Sequence, residues 1–197
     1  MANVSAVKAK FFEPQGVSAA LVSASASAAT LVIADGGPYG NLTETITLYS
    51  SGNNSGNTFT ITGTDGNGDA QTEDLTGPNA GTLNSANKYF TVTSNVSDGA
   101  IVTDIQAGIL GTGALTGTVF AGRTRIRGLT GTSKASAGNI VFKNTSITGT
   151  SLLTIPLTGA VSSIDPYVPD NGVLFDAGAY VNLTAADVTG VTVYYDG

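Results

Sequence analysis

The sequence predicts an all-β protein, and three observations support this prediction. Apolar and polar residues alternate with a period of two along much of the chain, as they do in half-buried antiparallel strands. Gly accounts for 26 of the 197 residues and Ser and Thr are abundant, a composition typical of short strands joined by tight turns. Turn-forming stretches such as DGGPYGN, SSGNNSGN and PDNG separate the alternating runs.

The alternation is clearest in three runs. Thr43–Tyr49 places Ile46 and Leu48 on one face and threonines on the other, and Thr58–Thr62 and Lys88–Thr93 repeat this arrangement. The remaining predicted strands share the same short apolar and β-branched pattern. They are Thr30–Ala34, Ala70–Leu75, Ile101–Ile105, Arg123–Leu129, Asn139–Lys143, Leu152–Leu157, Tyr180–Leu183 and Val188–Tyr195.

Two stretches are less clearly strand-like. Gln15–Ala29 is rich in alanine, but its Ser-Ala alternation fits a strand or an irregular segment at least as well as a helix. A single turn of helix is compatible with Ala185–Val188.

The small, flexible run GTGALTG within Gly111–Gly122 is typical of a linker. Five of the eight basic residues fall within 123–143, directly after it. We therefore expect two antiparallel β-sandwich domains of jelly-roll-like type, one over 1–120 and a smaller one over 123–197, joined by this Gly/Thr linker. A single larger β domain is the alternative.

The composition argues against several functional classes. The chain has no His and no Cys, which removes the commonest general base, the commonest metal ligand and any thiolate nucleophile. We therefore expect no enzymatic activity, no cofactor and no metal. The net charge of −6 argues against nucleic acid as a partner. The most apolar stretch, Val17–Ala29, is too short to span a bilayer, and the N-terminus lacks the apolar core of a signal peptide.

The segment DGNGD raises the question of a calcium site. Asp65, Asn67 and Asp69 match the first three ligand positions of an EF-hand loop, but Ala70 and Thr76 occupy the positions that require Gly and a bidentate Glu. Alternating runs flank the segment on both sides, so we predict the turn of a β-hairpin. A weak calcium site is the alternative.

The adjacent acids Glu73 and Asp74 would point to opposite faces of a strand, so they cannot act together on one substrate. We expect both of them to be solvent-facing charges on the hairpin.

The sharpest local feature is the run Arg123-Thr-Arg-Ile-Arg127. At a period of two, Arg123, Arg125 and Arg127 share one face and Ile126 lies on the other. One interpretation is a solvated edge strand whose charges discourage aggregation. The other is a docking strip for an acidic partner surface.

Two stretches resemble virion proteins of tailed bacteriophages. The first is TFTITGTDGNGDAQTEDLTGPNAGT (58–82) followed by KYFTVTS (88–94), and the second is NGVLFDAGAYVNLT (171–184) followed by VTVYY (191–195). The resemblance covers about half of the chain and is to small all-β structural proteins, including capsid decoration proteins and tail or fibre components. It carries no catalytic residues.

This resemblance implies a non-enzymatic capsid decoration or cement protein, made in the host cytoplasm and located on the virion. Its partners would be the major capsid protein or other virion proteins, and it would form a homo-oligomer, with a trimer as our first expectation. A tail, neck or fibre component is one alternative. A cell-surface carbohydrate-binding β-module is another, weakened by the absence of Trp.

Overall fold

The computed structural model describes residues 6–23 and 29–197, and every regular element within these ranges is a β-strand. The first nine strands are β1 (Val7–Phe12), β2 (Ser18–Ser23), β3 (Thr30–Ile33), β4 (Glu44–Asn53), β5 (Thr58–Thr64), β6 (Ala70–Thr76), β7 (Asn79–Tyr89), β8 (Thr91–Ser97) and β9 (Ile105–Ile109). The others are β10 (Ala114–Phe120), β11 (Thr124–Ser133), β12 (Ala137–Asn144), β13 (Ser151–Thr158), β14 (Ser163–Ile164), β15 (Val173–Phe175), β16 (Ala179–Thr184) and β17 (Val188–Asp196). All their pairings are antiparallel, which confirms the all-β prediction.

The chain forms two compact units whose sequences interleave. The inserted unit comprises Gln15–Tyr39 and Thr43–Gly111, and the C-terminal unit comprises the residues up to Pro14, Gly40–Leu42 and Thr112–Gly197. The expected boundaries, 1–120 and 123–197, are corrected accordingly. The physical reason is non-local pairing: β1, at the start of the chain, pairs along its whole length with β17 at the end.

The C-terminal unit contains two sheets that share one hydrophobic core. The first has the strand order β1-β17-β11-β14, with β15 also pairing with β11, and the second has the order β10-β16-β12-β13. Alternate residues of both sheets enter the core, as the period-two pattern requires. The largest fully buried side chains of this core are Phe12, Leu42, Leu115, Ile126, Phe142 and Phe175.

The predicted linker is wrong for most of its length, because Ala114–Phe120 form β10 and pair with β16. Leu115 and Val119 are buried in the core. Gly117 lies between them, and a Cβ there would stand 2.5 Å from the carbonyl oxygen of Asn41. The glycine that suggested flexibility is thus needed for close backbone packing.

Three residues from the middle of the chain complete the C-terminal unit. The Gly40 carbonyl accepts a hydrogen bond from the Glu13 N–H at 3.0 Å, and the Asn41 side-chain amide donates to the Phe11 carbonyl at 2.9 Å. Leu42 is fully buried in the core of this unit. The short segment Gly40–Leu42 therefore packs beside β1 and β10, the end strands of the two sheets.

The inserted unit is one eight-stranded sheet of order β6-β5-β8-β3-β2-β9-β4-β7. Nearly all its strands contribute to a single core, whose largest fully buried side chains are Ile46, Leu48, Phe59, Ile61, Tyr89 and Ile105. A single sheet can enclose a core only by curling around it, and the two end strands of this sheet, β6 and β7, do come into contact.

Side chains of β6 fasten this contact. β7 bulges where its pairing with β4 shifts between Thr45 and Thr47. The Glu73 carboxylate accepts hydrogen bonds from the backbone N–H groups of Ala86 at 2.7 Å and Asn87 at 2.9 Å, within that bulge. Glu73 is half-buried and is more than the solvent-facing charge that was expected, because its carboxylate also binds the backbone groups that the bulge leaves unpaired.

Two other local predictions differ from the structure: one strand begins later than expected, and one expected helical turn is a non-helical turn. The strand expected at Ile101–Ile105 begins only at Ile105, because Thr103 and its neighbours are held by the Asn54 side chain. Ala185–Asp187 form a turn rather than helix, with the Asp187 N–H donating to Thr184. Within Gln15–Ala29, Ser18–Ser23 form β2, and 24–28 lie outside the described residues.

Candidate docking face

The three arginines lie on or next to β11, as the sequence pattern places them. Arg125 and Arg127 are half-buried, whereas Thr124 and Ile126 between and beside them are buried on the core side. Arg123 precedes the strand and is exposed. The edge-strand interpretation is wrong, because β11 pairs with β17 on one side and with β14 and β15 on the other.

The arginines differ in how far their charge is neutralised. Arg123 and Asp176 approach to 3.7 Å with both side chains at least 70% exposed, so this ion pair contributes about 0–1 kcal/mol at most. Arg127 pairs at 3.7 Å with Asp196, and both are more buried. Arg125 donates to the backbone carbonyl of Asn171 at 3.0 Å and has no carboxylate within 4 Å among the described residues. Arg125 therefore keeps the most available charge.

Apolar side chains share this outward side of the five-stranded sheet. Register places Val7 opposite Asp196 and Asp196 opposite Arg125, so these side chains form one row across three strands. Val7 is 55% exposed, and Phe11, four residues further along β1 and therefore on the same face, is 49% exposed. We call this outward side, with Arg125, Arg127, Val7 and Phe11, the arginine face.

One end of the arginine face contains an open hollow of about 390 Å³, lined by Arg123, Thr124, Arg125, Leu174, Asp196 and Gly197. Arg125 pairs in register with Leu174 as well as with Asp196, so the hollow combines a cationic, an apolar and an anionic side chain. Arginine beside apolar surface is the composition of the energetically dominant parts of protein interfaces.

Charge is distributed very unequally between the two units. The inserted unit carries eight acidic residues and a single basic one, Lys88, whereas the C-terminal unit carries seven basic and six acidic residues. The net charge of −6 for the whole chain therefore belongs to the inserted unit, and a negative chain charge does not argue against an acidic partner for the C-terminal unit.

The DGNGD segment is the turn between β5 and β6, as predicted. The Asp69 carbonyl accepts a hydrogen bond from the Asp65 N–H at 2.9 Å. One carboxylate oxygen of Asp65 accepts from the backbone N–H groups of Asn67 at 2.8 Å and Asp69 at 3.0 Å, so the loop's own backbone uses it. Within 6–23 and 29–197, no three His, Cys, Asp or Glu side chains are grouped to hold a metal ion.

A buried carboxylate at the start of β4 was not singled out by the sequence reasoning. Glu44 is fully buried; one of its oxygens accepts from the Gly111 N–H at 3.3 Å, and the other has no hydrogen-bond partner. Burial raises the pKa of Glu44 to about 7, against the opposing effects of the Gly111 N–H and the positive charge of Lys88. The signal was present, since a period of two places Glu44 on the same face as Ile46 and Leu48.

Comparison with known proteins finds no protein-family model, no curated protein and no solved structure that matches the chain. In the described ranges there is also no helix of the length and apolarity needed to cross a bilayer.

Proposed function

We propose that this chain is a non-enzymatic structural protein of a tailed-bacteriophage particle, which decorates or cements the outer capsid surface as an oligomer, with a trimer as the first expectation. The resemblance noted in the sequence supports this. Its segments correspond to β5, β6, both ends of β7 and part of β8 in the inserted unit, and to β15, β16 and part of β17 in the C-terminal unit. The major capsid protein is the proposed principal partner, and the virion is the proposed location.

The proposal extends to the finer architecture. Two sheets around one core in the C-terminal unit support a β-sandwich there. The inserted unit, with one continuous sheet curled around its core, gives less support to a jelly-roll-like arrangement in that half.

The observation that carries the proposal is the composition of the arginine face. Arg125 has no acidic partner within 4 Å among the described residues, and Arg123 has only a weak, exposed one. A partner carboxylate can therefore bind either guanidinium without breaking a strong internal ion pair. Exposed Val7 and Phe11 add apolar area beside these charges.

Multivalency makes such a weak face sufficient for attachment. Each exposed ion pair contributes only about 0–1 kcal/mol, so one copy would bind a capsid weakly. An oligomer whose copies bind the capsid at the same time has a much higher affinity than one copy, because every contact after the first is intramolecular. This gives a structural reason why an oligomer suits the proposed role.

Binding to capsid shells that lack the protein tests the proposal. We expect the triple variant Arg123→Ser, Arg125→Ser, Arg127→Ser to fold normally by circular dichroism and to bind these shells more weakly. Raising salt should weaken wild-type binding, since the Debye length falls from about 10 Å at 0.1 M to about 3 Å at 1 M. Lys143→Ser is the matched control, because Lys143 is also half-buried and basic but lies on β12 of the other sheet. Equal binding of the triple variant and wild type at every salt concentration would contradict the docking role.

The copy number per purified particle separates the positions within a virion. Hundreds of copies, measured by quantitative mass spectrometry, would support the capsid surface. About a dozen or fewer would favour the neck, tail or fibre, and absence from the particle would overturn the virion proposal.

A further inference from the structure

The turn PDNG, which the sequence marks as a turn signal, places an asparagine before a glycine just ahead of β15. Asn171 is exposed, and its side chain makes no hydrogen bond to any residue in the described ranges. Asparagine is among the thermally labile residues, and a following glycine has no Cβ to hinder attack on the side-chain amide. The exposed Asn171-Gly172 pair therefore has the chemistry of a site of spontaneous deamidation.

The fold requires the glycine of this pair. Gly172 has a φ of +67°, and a Cβ there would stand 2.5 Å from the Ile126 carbonyl oxygen of β11. The Gly172 N–H donates to the Pro169 carbonyl at 2.6 Å and closes the turn. The packing of the turn against β11 thus excludes the larger residues that would slow deamidation at Asn171.

Arg125 favours the reaction at this asparagine. The attacking group is the Gly172 amide nitrogen after it has lost its proton, and the resulting negative charge is shared with the Asn171 carbonyl oxygen. Arg125 donates to that oxygen at 3.0 Å and has no carboxylate within 4 Å among the described residues. A positive charge at this distance favours the deprotonated amide. The neighbouring Asp170 opposes this effect, but it is exposed to solvent and screened.

The other Asn-Gly pair of the chain lies beside a negative charge instead. The Asp65 carboxylate accepts hydrogen bonds from the Asn67 N–H at 2.8 Å and from the Asn67 side-chain amide at 3.1 Å. These bonds hold the side chain of Asn67 in place, and the carboxylate disfavours loss of the Gly68 amide proton. We therefore expect Asn171 to react before Asn67, which serves as an internal control.

We propose that Asn171 deamidates spontaneously and that the isoaspartate formed there pairs with Arg125. The Gly172 nitrogen bonds to the Asn171 Cγ and closes a succinimide ring, and Nδ2 leaves as ammonia, taking up a proton in place of the one that the Gly172 nitrogen lost. Water then opens the ring at one of its two carbonyl carbons. Opening at Cγ gives aspartate, whereas opening at the backbone carbonyl carbon gives isoaspartate with a free α-carboxylate.

The isoaspartate places its new charge at the group that Arg125 already contacts. In this product the former carbonyl oxygen of Asn171, which accepts the Arg125 hydrogen bond, belongs to the free carboxylate. A hydrogen bond from the guanidinium to a neutral carbonyl therefore becomes an ion pair. Arg125 has the most available charge of the arginine face in the unmodified chain, and this ion pair neutralises it.

Ageing of the purified full chain in warm, mildly basic buffer tests the site. Peptide mass mapping follows the conversion of amide to acid at Asn171 and at Asn67, and labelling with an isoaspartyl methyltransferase identifies isoaspartate. We expect Asn171 to convert first, with isoaspartate among the products. Faster conversion at Asn67, or no isoaspartate at position 171, would overturn the proposal.

Variants of Arg125 test its contribution to the rate. Arg125→Ser should slow conversion at Asn171 about two- to fivefold, the effect of losing one exposed charge interaction, and leave the rate at Asn67 unchanged. Arg125→Lys, which keeps the positive charge, should convert nearly as fast as wild type. Lys143→Ser removes a half-buried basic residue from the other sheet and is the matched control. Equal rates at Asn171 in wild type and Arg125→Ser would refute the proposed link to Arg125.

The consequence for attachment rests on the proposed function. Aged wild type should bind capsid shells that lack the protein more weakly than fresh wild type. Asn171→Gln, whose longer side chain does not readily form the succinimide ring, should bind equally before and after ageing. Equal binding of aged and fresh wild type would contradict the effect on docking. Failure of the fresh protein to bind shells would instead contradict the proposed function, while the chemistry at Asn171 is decided by mass mapping alone.

Discussion

Replacing Glu44 by Gln should stabilise the protein above neutral pH and leave its stability nearly unchanged in acid. Burial raises the pKa of Glu44 from 4.5 to about 7 in the folded state. Below pH 4.5 the side chain is protonated in both the folded and the unfolded chain, so it contributes no pH-dependent penalty. Between pH 4.5 and 7 the unfolded chain releases this proton while the folded chain retains it, so the free energy of unfolding falls as the pH rises.

The magnitude follows from the two pKa values. The rise of the Glu44 pKa from 4.5 to about 7 corresponds to about 3 kcal/mol of unfolding free energy. The wild type loses this stability by pH 8, whereas Glu44→Gln does not. For a chain of this size that is roughly 6–12 °C in Tm. The assay is thermal unfolding of both proteins at pH 4.5 and pH 8.5, because other titrating groups cancel in the difference between them.

The two possible failures have distinct meanings. A difference in Tm that is the same at both pH values would refute ionisation of the buried Glu44 carboxylate as the source of the effect. A variant that is less stable than wild type at pH 8.5 would show that Lys88 and the Gly111 N–H more than offset the loss of hydration. Asp104→Asn makes the same acid-to-amide change at an exposed position of the same unit and is the control.

Three further predictions concern the architecture. Asn54→Ala should destabilise the inserted unit by about 2–4 kcal/mol in chemical denaturation. The buried Asn54 amide accepts a hydrogen bond from the Val102 N–H and donates to Ser50 and Thr103, and the variant loses all of these bonds. Asn53→Ala, at the exposed neighbouring position, is the control. Leu42→Ala should cost about 2–5 kcal/mol, since this side chain is fully buried in the core of the C-terminal unit, and a loss below about 1 kcal/mol would contradict that packing. The fragment 123–197 should give a poorly dispersed NMR spectrum, because it lacks the partner strands β1 and β10, whereas 15–111 retains β2–β9 and should fold.

Local chemistry explains why so much of the β-structure was predictable. Thr58–Thr64 and Ala70–Thr76 alternate on either side of a Gly-rich turn, and the two-residue period of a strand acts within each run without help from the rest of the chain. The same period placed Arg125 and Ile126 on opposite sides of β11. It also places Glu44 on the same face of β4 as buried Ile46.

The sequence by itself determined that the chain is all-β, where its hairpin turns lie, and which side chains of a strand share a face. Only the tertiary structure decided which strands pair, because a strand's hydrogen bonds go to whichever edge the fold brings beside it. β1 and β17 pair across almost the whole length of the chain, and Leu42 enters the core of a unit whose other parts are distant in sequence. Likewise, whether Arg123–Arg127 lay at an edge or within a sheet depended on neighbouring strands that no local pattern names.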